Sequence, residues 1–277
     1  MNFIAVTGST GNIGGRVARR LAASDVSQRL LVRDPSRAPQ LPGADVAKAE
    51  YGETAGVREA LNGIDTVLMV SGSEARDRVA QHRSFIDAAV EAGVGHLVYT
   101  SFVGAGPNAT FTLVRDHWAT EEHIRASGLG FTFLRDNLYA DFFSLMVGKD
   151  GVIRGPAGDG RVAAVAQDDI AEVAAAVLLA PTSHVEATYD LTGPEGLTLK
   201  EVAATISAAT ARAVTYVPET VEEAYSSRAV FGAPDWQVDA WVSTYTAIAA
   251  GELTAVSDDI QTITGHPATS LDELLRR

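Results

Sequence analysis

The residues best equipped for chemistry stand near the N-terminus. The run Val6-Thr7-Gly8-Ser9-Thr10-Gly11-Asn12-Ile13-Gly14-Gly15 spaces Gly8, Gly11 and Gly14 as GxxGxxG. It lies between a short apolar run, Phe3-Ile4-Ala5-Val6, and a stretch with Ile13, Val17 and Leu21 spaced at four. A glycine turn joining a strand to a helix is a seat for a dinucleotide. Gly8 permits the tight turn, and Gly11 lets a pyrophosphate approach the backbone. Gly14 lets the helix pack close to the sheet, and the free N–H groups of the helix start face the phosphates. The alternative is a merely structural glycine turn; the strand–helix context favours the nucleotide. No Gly-Lys-Ser/Thr follows, so the turn is not a mononucleotide P-loop.

The residue that closes the second strand decides the form of the cofactor. NAD sites place an acid about 20 residues beyond the glycines, on the ribose 2′-hydroxyl. Here the position nineteen residues after Gly14 is Arg33. A guanidinium there can hold a 2′-phosphate through paired, charge-assisted hydrogen bonds. Asp34, before Pro35, reads as a helix cap. The expected cofactor is therefore NADPH.

Other chemistries are missing. Many reductases of this fold use Tyr-x-x-x-Lys, in which the lysine lowers the pKa of a proton-donating tyrosine. None of the seven tyrosines has a lysine four residues on, and the only lysines are Lys48, Lys149 and Lys200. There is no GxSxG elbow and no HExxH helix. The absence of cysteine excludes thiolate nucleophiles, disulfides and Cys-held metals. His117 and Glu121 share a helix face, with His123 nearby, but a polar helix face is favoured over a metal site and no metal is expected. Twenty-two basic against 35 acidic residues give a net charge of −13. That argues against a nucleic-acid binder and against docking on anionic lipid. No basic leader and no membrane-length apolar run is present, so a cytoplasmic protein is expected.

These side chains need a scaffold, and the sequence supplies one. Strand-like runs at 3–6, 30–32, 46–49, 64–70, 96–100 and 131–134 alternate with helical patterns at 12–23, 54–62, 76–92 and 112–127. Such alternation predicts an α/β fold, a Rossmann-type doubly wound parallel sheet. The dinucleotide-binding region is expected over 1–136. A smaller, mainly helical α/β part over 137–277 is expected to cover the substrate, the whole forming one continuous body. Within it, 137–147 reads as a helix, Asp168 as the cap of a helix reaching Ala180, and Thr198–Glu201 and Ser270–Glu273 as capping boxes.

With these motifs in hand, the chain resembles the NmrA-like branch of the atypical short-chain dehydrogenase/reductases (SDR). The resemblance rests on the glycine turn and on Leu31-Val32-Arg33-Asp34-Pro35, Tyr99-Thr100-Ser101 and His117-Trp118-Ala119-Thr120-Glu121. Phe131-Thr132-Phe133-Leu134-Arg135-Asp136-Asn137-Leu138-Tyr139, Ser257-Asp258-Asp259-Ile260 and Leu271–Leu275 extend it. Within the branch it resembles the bacterial NADPH:quinone oxidoreductases and triphenylmethane reductase, and it lacks the active-site lysine of the isoflavone-reductase-like members. The resemblance implies that Gly8, Thr10, Gly11, Asn12, Ile13 and Arg33 bind the adenine half of NADPH. Ser71 and Gly72 would border the ribose, and Thr100, Ser101 and Asn137 would surround the nicotinamide. Ser101 and Asn137 are the expected catalytic residues, with a hydroxyl such as Ser101 or water handling any proton. Tyr139, Phe142 and Phe143 would form an aromatic wall for a flat acceptor, with His117 at the pocket rim; ordinary core packing is the competing role for the two phenylalanines. The expected activity is hydride transfer to a quinone or another conjugated aromatic. The expected partners are that small molecule and, at most, a second copy in a homodimer. The branch also contains nonenzymatic NADP(H)-sensing regulators that bind a partner protein, and the glycine motif serves both.

Overall fold

The computed structural model describes residues 3–277, and these divide into two compact units. The first comprises the chain up to Ser101, Asp116–Arg135 and Asp168–Tyr189; the second comprises Phe102–Arg115, Asp136–Gln167 and Asp190–Arg277. The units are thus interleaved rather than consecutive halves. Phe102, Val103 and Val114 pack into the core of the second unit, while a late helix–strand pair adds to the sheet of the first.

That sheet holds seven strands: β1 (Ile4–Thr7), β2 (Gln28–Val32), β3 (Ala44–Lys48), β4 (Thr66–Met69), β5 (His96–Phe102), β6 (Gly130–Asp136) and β9 (Ala187–Leu191), in the order β3-β2-β1-β4-β5-β6-β9. The registers from β3 through β5 are all parallel. β1, β4 and β5 are buried at every position, as a sheet covered on both faces requires. The order reverses between β1 and β4, which is where open α/β sheets take their ligands, beyond the carboxyl ends of the strands. The first unit's helices are α1 (Asn12–Ala23), α2 (Thr54–Ala60), α3 (Arg78–Glu91), most of α4 (Thr112–Ser127) and most of α5 (Gln167–Leu179). α1 buries Ile13, Val17, Ala18 and Leu21, the four-residue stripe of the sequence. α3 buries Phe85, Ile86 and Ala89 as the pattern predicts, and on the same face Arg78 and His82. α4 likewise turns His117, Thr120, Glu121 and Ile124 inward.

In the second unit β7 (Val152–Gly155) pairs in parallel with β11 (Thr215–Pro218), and β8 (Arg161–Val162) pairs antiparallel with β10 (Leu197–Thr198). α6 (Leu199–Thr210), α7 (Val221–Arg228), α8 (Asp235–Ala249), α9 (Asp259–Thr264) and α10 (Leu271–Leu275) complete it. Both expected capping boxes form, and Thr220–Glu223 makes a third. Two sequence expectations are corrected. The helix over 137–147 is a 3₁₀ stretch over Ala140–Met146. Tyr139 bridges to Val165 and the Ala140 N–H donates to the Val165 carbonyl, so the chain is still held extended where the α-helix was to begin. Asp168 lies in the first turn of α5 rather than at its cap; the Asp141 carboxylate accepts from the first helical N–H, at Gln167. Asp168 pairs instead with Arg20 of α1 at 2.9 Å. Among the described residues no helix is long and apolar enough to cross a membrane.

The glycines joining β1 to α1 make the fold testable. A Cβ on Gly14 would fall 2.4 Å from the Thr7 carbonyl oxygen and 2.5 Å from that of Gly8. A Cβ on Gly11 would meet only the Gly8 oxygen, at 3.2 Å. Gly14→Ala is therefore expected to lose at least about 2 kcal/mol of stability. Gly11→Ala should stay within about 1 kcal/mol of the parent. Urea unfolding of the two variants checks this; equal midpoints would mean that α1 slides away from β1 without cost.

Candidate functional site

The turn after β1 has the shape its sequence demands. Gly8 adopts φ +62°, in the left-handed region, and its carbonyl accepts from the Gly11 N–H at 2.8 Å. Gly11 is the N-cap of α1 and offers no capping side chain, and the first turn carries no acid. The opening N–H groups and the positive end of the helix are thus left for an anion. Thr10, Gly11 and Asn12 are exposed and Ile13 is buried beneath them. Ser9 is buried with its Oγ lacking any hydrogen-bond partner. An orphaned hydroxyl in a turn that keeps Gly11 clear of side chain fits a phosphate-bearing ligand. Gly15, which the sequence reading did not single out, is also required: its Cβ would stand 2.9 Å from the Ser9 carbonyl oxygen.

At the end of β2, Arg33 is exposed, and no hydrogen bond or ion pair among the described residues holds it. Asp34 accepts from the Ser36 N–H at 3.0 Å and from its hydroxyl at 2.7 Å, so it is occupied as a cap. Those bonds hold its carboxyl below the usual range.

The loop leaving β4 is stitched at successive peptides. The Val70 N–H donates to Thr7 Oγ1 at 2.8 Å, and the Val70 carbonyl accepts from the Tyr51 hydroxyl at 2.5 Å. The Ser71 N–H donates to Thr100 Oγ1 at 2.8 Å. The Gly72 N–H donates to His82 Nε2 at 2.9 Å, and its carbonyl accepts from Arg78 Nε at 2.9 Å. Thr100 and Gly72 are thereby brought together, and Ser71 lies between them, half-buried.

Behind this loop lies a buried cluster. Arg78 Nη2 donates to His117 Nε2 at 3.0 Å, so the His117 proton sits on Nδ1 and faces the Tyr99 hydroxyl at 3.0 Å. His82, accepting at Nε2, donates from Nδ1 to Thr120 Oγ1 at 2.9 Å, and Thr120 donates on to the Asp116 carbonyl. Asp116 stands 3.6 Å from Arg78 Nη1, a nitrogen without a hydrogen-bond partner. Burial, reinforced by the Arg78 charge, lowers His82 to about 3 and holds His117 well below the usual imidazole range. Burial raises the hydroxyls of Tyr99 and Tyr51. Neither histidine carries a transferable proton at neutral pH. Of this cluster the sequence reading expected only His117, at a pocket rim, and it is buried between Arg78 and Tyr99; Arg78 and His82 escaped the reading, although one signal was present: they fall at the same helical period as Phe85, Ile86 and Ala89.

The remaining expected residues divide by environment. Ser101, at the edge of the first unit, donates its hydroxyl to Glu121 Oε1 at 2.6 Å. Glu121 is fully buried and held by Arg135 at 2.7 Å and Arg125 at 3.0 Å. The Ser101 proton therefore points into an ion-pair network. In the second unit, Asn137 donates from Nδ2 to the Leu253 carbonyl at 3.1 Å and accepts at Oδ1 from the Leu138 N–H at 2.7 Å. Its amide is committed to backbone at both ends. Tyr139 is half-buried, with its ring edge-on to Phe142 at 5.4 Å; Phe142 is 43% exposed. Phe143 is buried in the second unit's core, the packing role weighed against acceptor contact. Among the described residues no His, Asp or Glu group could hold a metal.

Residues 1–238 match the NmrA-like family. The chain is 33% identical to quinone oxidoreductase 2 of Escherichia coli, over 98% of this chain and 96% of that protein. The structure of that quinone oxidoreductase with NADPH superposes with a TM-score of 0.90 at 31% identity, over 98% of both chains. NAD(P)H azoreductase of Xenophilus azovorans is 32% identical over 99% of this chain and 97% of that one. The structure of Citrobacter triphenylmethane reductase with NADP(H) gives a TM-score of 0.88 at 31% identity, over 99% of each.

The buried imidazoles predict an acid limit to stability. A histidine whose folded pKa lies below its unfolded value, about 6.5, takes up a proton more readily when unfolded. Its contribution is complete above that value and is lost as the pH falls towards the folded one, about 3 for His82. Unfolding free energy should therefore fall between about pH 6.5 and about pH 5, by up to about 1.4 kcal/mol per pH unit for each histidine. Denaturant titrations across that range, with His82→Asn as the comparison, check it; a profile no shallower in the variant would remove His82 as a cause.

Proposed function

The chain belongs to the NmrA-like family, and from that premise we propose that it is an NADPH-dependent oxidoreductase that passes a hydride to a quinone or another conjugated aromatic acceptor. The observation that carries the cofactor half is the bare N-terminus of α1 on its glycine turn, with the unpartnered guanidinium of Arg33 at the end of β2. Gly8, Thr10, Gly11, Asn12 and Ile13 supply the pyrophosphate seat, and Arg33 supplies the 2′-phosphate contact. Bound there, NADPH supplies the hydride.

This chain's own side chains mainly hold geometry. Tyr51, Thr7, Thr100, His82 and Arg78 fix the β4 loop, so Ser71 and Gly72 present a rigid border to the ribose. Catalysis of this kind rests on proximity and orientation, because quinones and cationic dyes are electrophilic unaided. Tyr139 and Phe142 offer aromatic surface suited to a flat acceptor. The relatives named for quinone and azo reduction support an acceptor of this class. The charge of −13 fits small-molecule rather than nucleic-acid partners.

The decay of NADPH absorbance with a panel of quinones and azo dyes tests the activity. A protein that binds NADPH and reduces none of them would overturn it. The cofactor assignment is tested separately by Arg33→Ala. NADPH affinity should fall about 10- to 100-fold, the loss of a charge-assisted contact of about 1.5–3 kcal/mol, while NADH affinity is unaltered. Equal losses for both cofactors, by fluorescence titration, would take Arg33 away from the 2′-phosphate.

A further inference from the structure

Charge is spread unevenly along this chain. The first 37 residues hold six arginines and only two acids, although the whole carries −13. Three of the six are matched: Arg16 and Arg20 pair with Asp168 at 3.8 and 2.9 Å, and Arg29 pairs with Asp45 at 3.0 Å. Arg37 stands within electrostatic reach of Asp34. Arg19 and Arg33 remain, and no hydrogen bond or ion pair among the described residues holds either. Arg33 already has a place in the cofactor site; Arg19 has none.

Arg19 stands on α1, one turn beyond Gly15. A Cβ on Gly15 would come 3.5 Å from Arg19 Nη1, 3.8 Å from Nη2 and 2.9 Å from the Ser9 carbonyl oxygen. The guanidinium of this exposed residue is therefore folded back over bare backbone, beside the glycine turn. No acid among the described residues draws it there, and holding a long side chain folded costs rotamer entropy. The same turn holds another unmatched group, the buried Ser9 hydroxyl.

The flank that Arg19 occupies selects the anion it meets. Successive residues of an α-helix are about 100° apart. Arg16 and Arg20 face α5, which leads to β9 at the opposite edge of the sheet from β2 and β3. Gly15 and Arg19 lie one step round, on the flank turned away from α5. That is the β2 side, where Gln28 at the start of β2 donates to the Ala18 carbonyl at 2.8 Å. Arg33 follows the other end of β2. A pyrophosphate takes the N–H groups that open α1, whereas the 2′-phosphate of an adenosine falls towards the end of β2.

We infer that Arg19 is a second ligand of the adenosine 2′-phosphate, reaching it from α1 as Arg33 does from β2. The inference rests on the proposed NADPH site. A phosphate dianion has acceptor oxygens enough for two planar guanidinium forks, and each contact is charge-assisted. Gly15 is the condition for this arrangement, because a side chain there would push the guanidinium off the turn. NADH lacks the 2′-phosphate and does not meet Arg19.

Arg19→Gln tests this at an exposed position that the fold does not depend on. By fluorescence titration of the full chain, NADPH affinity is expected to fall about tenfold and NADH affinity to stay as it was. By calorimetry, adenosine 2′,5′-bisphosphate should lose the same factor and 5′-AMP should lose none. Equal losses for NADPH and NADH overturn the inference and move Arg19 to the pyrophosphate or to the turn itself. Unchanged affinity for all four ligands also overturns it, making Arg19 a solvated surface charge. If Arg33→Ala separates the two cofactors while Arg19→Gln does not, the second ligand falls and the NADPH site stands. A parent protein that binds NADH as tightly as NADPH overturns the NADPH site itself, a distinct result.

Discussion

The guanidinium of Arg78 cannot lose its charge, and it is buried 95% beneath the loop that leaves β4. Three acceptors stand around it: the Gly72 carbonyl, the His117 imidazole and, more distantly, the Asp116 carboxylate. Much of the first unit's site follows. Burial first, and the cation after it, keep His117 and His82 neutral, and the donors at Arg78 and Gly72 fix which nitrogen of each ring carries the proton. Through His82 the Gly72 N–H is held, and through Arg78 its carbonyl is held, so one peptide is clamped from both sides. A guanidinium can do this because its donors lie in a rigid plane; a lysine ammonium is a point charge with no such fork.

The glycine turn works on the opposite principle. At Gly72 every polar group is matched by protein, whereas at the start of α1 the protein leaves groups unmatched. The helix has no capping side chain, Gly11 has no Cβ, and Ser9 Oγ has no partner. Such omissions cost stability in the empty protein and are repaid by an anion. The same contrast appears at the ends of β2. Asp34 is used up as a cap, while its neighbour Arg33 is left without an ion pair among the described residues.

Burial also sorts the titratable groups by sign. It strips the proton from the histidines and keeps it on Asp136. The histidines support the fold above their unfolded pKa and weaken it in acid. Asp136 does the reverse: its contribution is present in acid and is lost as pH rises through its raised pKa. The imidazoles are therefore scaffolding near neutrality, and the carboxyl is the group that holds a proton there.

By itself, the sequence determined what local patterns determine. Apolar runs bounded by glycine and helical stripes at four-residue spacing gave the order of strands and helices, because backbone periodicity is a short-range property. The glycine turn was legible for the same reason: Gly8 needs a positive φ, and Gly14 abuts its own strand. So was Asp34, whose partner Ser36 is two residues away. Only the tertiary structure decided the rest. The helix expected over 137–147 gave way because Val165, far along the chain, holds Tyr139 extended. Ser101 and Asn137 looked reactive by type and position, yet Glu121 and Leu253 occupy them. Phe142 and Phe143 were indistinguishable neighbours until one was exposed and the other buried. Arg78 and His82 had no motif at all, and Asp136 stood in a quoted run that gave it no role. Their properties come from desolvation and from partners distant in sequence, and neither quantity is written in the order of residues nearby.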